Sequence, residues 1–131
     1  MRGKCFGFLI LLLSVDVANS QQTIDICKLL KHAKQFNHKR VRVSGSVYAD
    51  IHSTTLASPE CPQMPLVMRY EESAPAGFAE GVEDKRMQLD SRQLSVTVSG
   101  RFTAKVCVDR GCFSRLDVTQ AQKWEFLPPE K

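Results

Sequence analysis

The chain has 131 residues, 43% of them hydrophobic and 24% charged, with a formal charge of +4. That length supports one domain with a modest core. The charge is too small to demand a polyanionic partner.

Residues 1–20 read as a secretory signal peptide. Arg2 and Lys4 make a positive start, Phe6 to Leu13 is an almost unbroken apolar run, and Ala18-Asn19-Ser20 places small residues for cleavage before Gln21. The run is too short to span a bilayer, and Asp16 stops its extension. A lipoprotein signal does not fit, because Cys5 precedes the apolar run. The mature chain is then 131 less 20, or 111 residues. Its charge falls to +3 with the loss of Arg2, Lys4 and Asp16, and no second apolar stretch offers a membrane anchor. Residues 21–127 form the expected domain and 128–131 a frayed tail.

Thr23 to Gln35 predicts an amphipathic helix, with Ile26, Leu29, Leu30 and Ala33 on one face and Thr23 as cap. Asn37 and His38 predict a turn. A first strand follows, with Val41, Val43, Gly45, Val47, Ala49 and Ile51 inward and Arg42, Ser44, Ser46 and Tyr48 outward. A polar corner at His52 leads to a second strand around Thr55–Ala57, and a proline-bounded loop spans Ser58–Pro62. Pro65–Glu71 predicts a third strand, with Leu66, Met68 and Tyr70 inward.

Glu72 to Arg92 predicts a loop with a short helix near Gly81–Leu89, anchored by Phe78, Val82, Met87 and Leu89. The fourth strand is long: Leu94, Val96, Val98, Gly100, Phe102, Ala104, Val106 and Val108 all fall on one face. A fifth strand covers Arg115–Thr119, and Trp124 and Phe126 close the core.

Val41-Arg-Val-Ser-Gly45-Ser-Val47 nearly repeats as Val96-Thr-Val-Ser-Gly100-Arg-Phe102. Each copy alternates with period 2 and carries glycine on its apolar face, which suits a strand that bends sharply. The chain is therefore expected to be mainly β. The expected fold is a five-stranded OB-like Greek-key barrel, with an N-terminal amphipathic helix and a short helix or loop between the third and fourth strands. The two glycine-bearing strands are expected to be neighbours. An open antiparallel sheet with one helix packed on it is the alternative.

Export makes the four mature cysteines disulfide candidates. Four cysteines allow three pairings. The hairpin tip Val108–Gly111 favours Cys107 with Cys112, which leaves Cys27 with Cys61. A four-cysteine zinc site is the competing reading, but Cys27 and Cys61 form no second knuckle.

Three elements carry a resemblance: Ile26–Leu30, Phe36–Gly45 and the Pro59-Glu-Cys-Pro62 loop. Through them the chain resembles small exported bacterial OB-fold-like proteins of uncharacterised function. It departs from that pattern at His38, where glycine is usual. The resemblance implies a fold and no activity.

No motif supplies chemistry. His32, His38 and His52 lack metal-binding helical spacing, and no serine-nucleophile elbow is present. The carboxylates read as solvated surface charge. Lys28, Lys31, Lys34, Lys39, Arg40 and Arg42 form a basic cluster, and Tyr48 shares the outer face of Arg42. The leading expectation is an exported, periplasmic or secreted, non-enzymatic binding module. It uses no cofactor or metal, and its ligand or protein partner lies in the envelope or outside the cell. Its candidate face is Lys39, Arg40, Arg42, Ser44, Tyr48, Ser99 and Arg101. Two alternatives are a binder of nucleic acid or an anionic envelope polymer, and a small hydrolase with a loop-built site in Glu72–Arg92.

Overall fold

A computed structural model describes Gly3 and residues 22–70, 74–89, 92–109 and 111–128. Apart from Gly3, the expected signal peptide lies outside the described residues, as do Glu71, Glu72, Asp90 and most of the expected tail. The element order is β1 (Thr23–Asp25), α1 (Ile26–Lys31), α2 (Ala33–Phe36), β2 (Arg40–Ala49), β3 (Thr54–Ala57), β4 (Leu66–Tyr70), α3 (Ala76–Arg86), β5 (Gln93–Val108) and β6 (Gly111–Leu127).

The expected five-stranded Greek-key barrel is corrected. The strands form a six-stranded mixed sheet in the order β1-β2-β3-β4-β6-β5, with an additional β2–β5 pairing. The extra strand is β1, whose residues Thr23, Ile24 and Asp25 pair in parallel with Arg42, Val43 and Ser44. The sequence reading placed these residues in the first helical turn. They are extended because the free edge of β2 offers them a ladder of backbone partners. Asp25, not Thr23, then caps α1, its carboxylate accepting from Lys28 N at 3.2 Å. The expected single helix is broken at His32. Its apolar face is nonetheless the one predicted: Ile26 and Leu29 are buried, and Leu30 and Ala33 pack against the core, joined by Phe36 beyond the predicted end.

Along its other edge β2 runs antiparallel to β5, and the two near-repeats lie against each other. Val41 pairs with Gly100, Val43 with Val98 and Gly45 with Val96. Both glycines sit where another segment comes close. A Cβ on Gly45 would meet Ile26 Cδ1 at 2.5 Å, and one on Gly100 would run into the backbone of Asp117 and Val118. A register shift falls at the same point, between Ser99 and Gly100, with Thr119 of β6 as the extra residue.

The core lies between the inner face of the sheet and helices α1 and α3. It includes Val43, Leu56, Leu66, Leu94, Val98, Phe102 and Leu116. The α3 helix starts at Ala76, earlier than expected, and presents Phe78 and Val82 to the core. Trp124 packs edge-on against Phe78 at 6.2 Å and close to Gly77. Met87 and Leu89, expected as anchors, are exposed because the helix ends at Arg86. Ile51, expected inward, is 77% exposed. The strand has already ended at Ala49, and the Asp50 carboxylate turns the chain by accepting from His52 N at 2.7 Å and Ser53 N at 2.8 Å.

β6 is far longer than the expected Arg115–Thr119. Its polar stretch from Thr119 to Lys123 hides the alternation, and irregular register against β5 accommodates it. Both disulfides form as expected, Cys27–Cys61 with Cα atoms 5.8 Å apart and Cys107–Cys112 at 4.1 Å. The first ties α1 to the loop after β3, and the second staples the β5–β6 hairpin. All four thiols are consumed, so the zinc reading fails. Among the described residues no helix is long and apolar enough to cross a membrane.

Candidate functional site

The turn at His38 sets the start of the candidate face. His38 has φ of 63° in the left-handed region, which explains why glycine would suit the position. Its N–H donates to Phe102 O at 2.8 Å, and Phe102 N returns a bond to Lys39 O at 2.9 Å. Asn37 Oδ1 accepts from Ala104 N at 2.9 Å. These bonds bring exposed Lys39 and Arg40 beside Arg101.

The outer face follows from strand register. Arg40 lies opposite Arg101, Arg101 opposite Asp117, and Asp117 opposite Arg69. Opposed residues on paired strands share a face, so these four side chains form one row across β2, β5, β6 and β4. Three inter-strand steps of ~4.8 Å make the row about 14 Å long. It carries three guanidinium groups and one carboxylate. That carboxylate is already engaged: Arg69 Nε donates to Asp117 Oδ1 at 2.8 Å, and Arg115 Nη2 donates to Oδ2 at 3.3 Å. Arg40 Nη2 also donates to Gln120 Oε1 at 3.4 Å. Like charges directly opposite on a sheet are unfavourable, so the Arg40–Arg101 juxtaposition opposes stability.

The remaining predicted residues divide. Arg42 is half-buried and donates through Nε to Ser99 Oγ at 3.4 Å. Ser44 is exposed and shares a 2.7 Å hydrogen bond with Thr97 Oγ1. Ser99 is a correction: it is 1% exposed, its hydroxyl covered by Arg42 and by Gln122, which donates at 2.7 Å. Gln122 reaches it from an irregular stretch of β6 that sequence periodicity does not reveal. Tyr48 is 61% exposed but stands beyond the β2–β5 register, opposite Thr55. It lines a hollow of about 330 Å³ with Pro59, Pro62 and Pro65, so it is not a stacking companion of the arginine row.

Sequence reasoning did not place Arg69, Arg86, Arg115 or Asp117 in a site. Arg69 has an outward signal in its strand's alternation. Its meeting with Asp117 depends on a parallel β4–β6 pairing between distant segments. Together with His52 and Tyr70, the three arginines line an open cleft of about 560 Å³.

Asp25, Cys27 and Glu60 place potential metal-ligand atoms within 4.8 Å of one another. The group does not fit a metal, because Cys27 Sγ is bonded to Cys61 and offers no thiolate. Among the described residues, Asp50 is the one carboxylate moved clearly off its ordinary value. The backbone N–H groups of His52 and then Ser53 hold its pKa below 3.8, with a smaller contribution from the charge of His52. It serves the turn at the cleft rim. Comparison with known protein families and with curated proteins returned no match.

Proposed function

We propose that this chain is an exported, non-enzymatic binding module that holds an anionic envelope or extracellular polymer against the outer face of β2, β5, β6 and β4. The carrying observation is the cross-sheet row Arg40, Arg101, Asp117 and Arg69, with Lys39 at its end. A linear polyanion would relieve the unfavourable Arg40–Arg101 pairing and collect charge-assisted bonds along the row. The signal-like residues 1–20 and two disulfides support export to the periplasm or the medium.

Binding of linear polyphosphate, followed from about 50 to about 200 mM salt, tests this reading. Affinity should fall steeply with salt. Arg40→Gln and Arg101→Gln should each weaken binding and flatten the slope by about 0.7. An affinity indifferent to salt, or unchanged in both variants, would remove the polyanion reading. Stronger binding of single-stranded nucleic acid than of polyphosphate would identify a different polymer.

A further inference from the structure

The cleft beyond the end of the arginine row has features that a polymer track does not need. Its volume of about 560 Å³ lies within the range of small-molecule sites. Its cationic lining is Arg69, Arg86 and Arg115. Val67, Met68 and Phe113 add apolar lining, with Val67 directly opposite Arg115 on the neighbouring strand. The Arg115 side chain is 24% exposed and that of Arg86 37%, so both are partly covered by protein.

Their hydrogen bonding is incomplete. Arg86 Nη2 donates to Thr54 Oγ1 at 3.4 Å, and Nη1 lies 3.7 Å from Glu83 Oε2, an exposed pair worth little. Arg86 Nε is buried and has no hydrogen-bond partner among the described residues. Arg115 Nε is 3.2 Å from Asp117 Oδ1 but is not aligned for a bond and is likewise unmet. Buried donors without acceptors are unusual, and guanidinium forks match tetrahedral oxyanions. Against three arginines, Asp117 and Glu83 supply two carboxylates, leaving one positive charge for a ligand.

We propose that this cleft binds a small organic phosphate monoester. Arg86 and Arg115 hold the phosphate, Arg69 closes the outer side, and a ring-sized apolar body rests on Phe113 and Val67. The site shares Arg69 with the polymer-binding reading but needs neither Arg40 nor Arg101.

Calorimetric titration of the folded protein with phenyl phosphate, inorganic phosphate and phenol tests the site. Phenyl phosphate should bind at one site, at least tenfold more tightly than inorganic phosphate, with phenol showing no binding. Arg86→Gln and Arg115→Gln should each weaken phenyl phosphate at least tenfold, while Arg40→Gln and Arg101→Gln leave it unchanged. Should Arg115→Gln destabilise the chain by leaving Asp117 to Arg69 alone, Arg115→Lys keeps the charge and removes the fork, and an intermediate loss is expected. Absence of phenyl phosphate binding at millimolar concentration would overturn the proposal. So would affinity equal to that of inorganic phosphate, or affinity unchanged in Arg86→Gln. Binding of phenyl phosphate without any binding of polyphosphate would leave this site standing and remove the polymer track alone.

Discussion

Along β5 the alternation of apolar and polar residues runs unbroken from Leu94 to Val108, yet its two halves end in different environments. Leu94, Val96, Val98 and Phe102 are buried, and this half has β2 on one side and β6 on the other. Beyond Phe102 only β6 remains as a strand partner, Ala104 and Val106 are partly buried, and Val108 is exposed. The same pattern thus gives core where two strands flank it and a two-stranded ribbon where one does. Isolated ribbons are marginal in water, which is why the Cys107–Cys112 staple sits at the ribbon's tip.

Paired truncations sharpen that contrast most. Phe102→Ala should cost about 3–5 kcal/mol, and Val106→Ala about 1 kcal/mol or less, read from urea midpoints at constant slope. Equal costs would mean that the ribbon is as much a part of the core as the flanked half. The disulfides give the next effect. Replacing Cys27 and Cys61 by serine should cost about 4 kcal/mol, and replacing Cys107 and Cys112 about 2 kcal/mol, because the first bridge closes the longer loop. Loss of the second bridge should also speed amide exchange in Ala104–Val108 while leaving Leu94–Phe102 protected.

The smallest effect belongs to the turn at Asp50. Its folded pKa is lowered, so its contribution to stability is present above 3.8 and is lost as pH falls through the folded value. The stability difference between the natural chain and Asp50→Ala should therefore shrink as denaturation is repeated below pH 3.8. A difference that grows in acid would contradict the turn's bonding.

Local chemistry was legible where one segment sufficed. Periodicity located the β2 and β5 inner faces, the helix face of Ile26 and Leu29, and the hairpin that unites Cys107 with Cys112. The larger failures depended on distant partners. Thr23–Asp25 looks like a helix start until the edge of β2 is there to pair with it. Ser99 looks outward until Gln122 reaches over it. The candidate face was half visible: Lys39, Arg40 and Arg101 come from neighbouring strands that share a motif. Arg69, Arg86, Arg115 and Asp117 converge only through the β4–β6 pairing and the end of α3.

Amide chemical-shift mapping during titration with linear polyphosphate most directly tests whether the flanked half of the sheet carries the binding surface. Shifts should concentrate at Lys39, Arg40, Arg101, Asp117 and Arg69, with the ribbon from Ala104 to Val108 unmoved. Shifts centred instead on Lys28, Lys31 and Lys34 would place the surface on the helices and contradict a sheet-borne site.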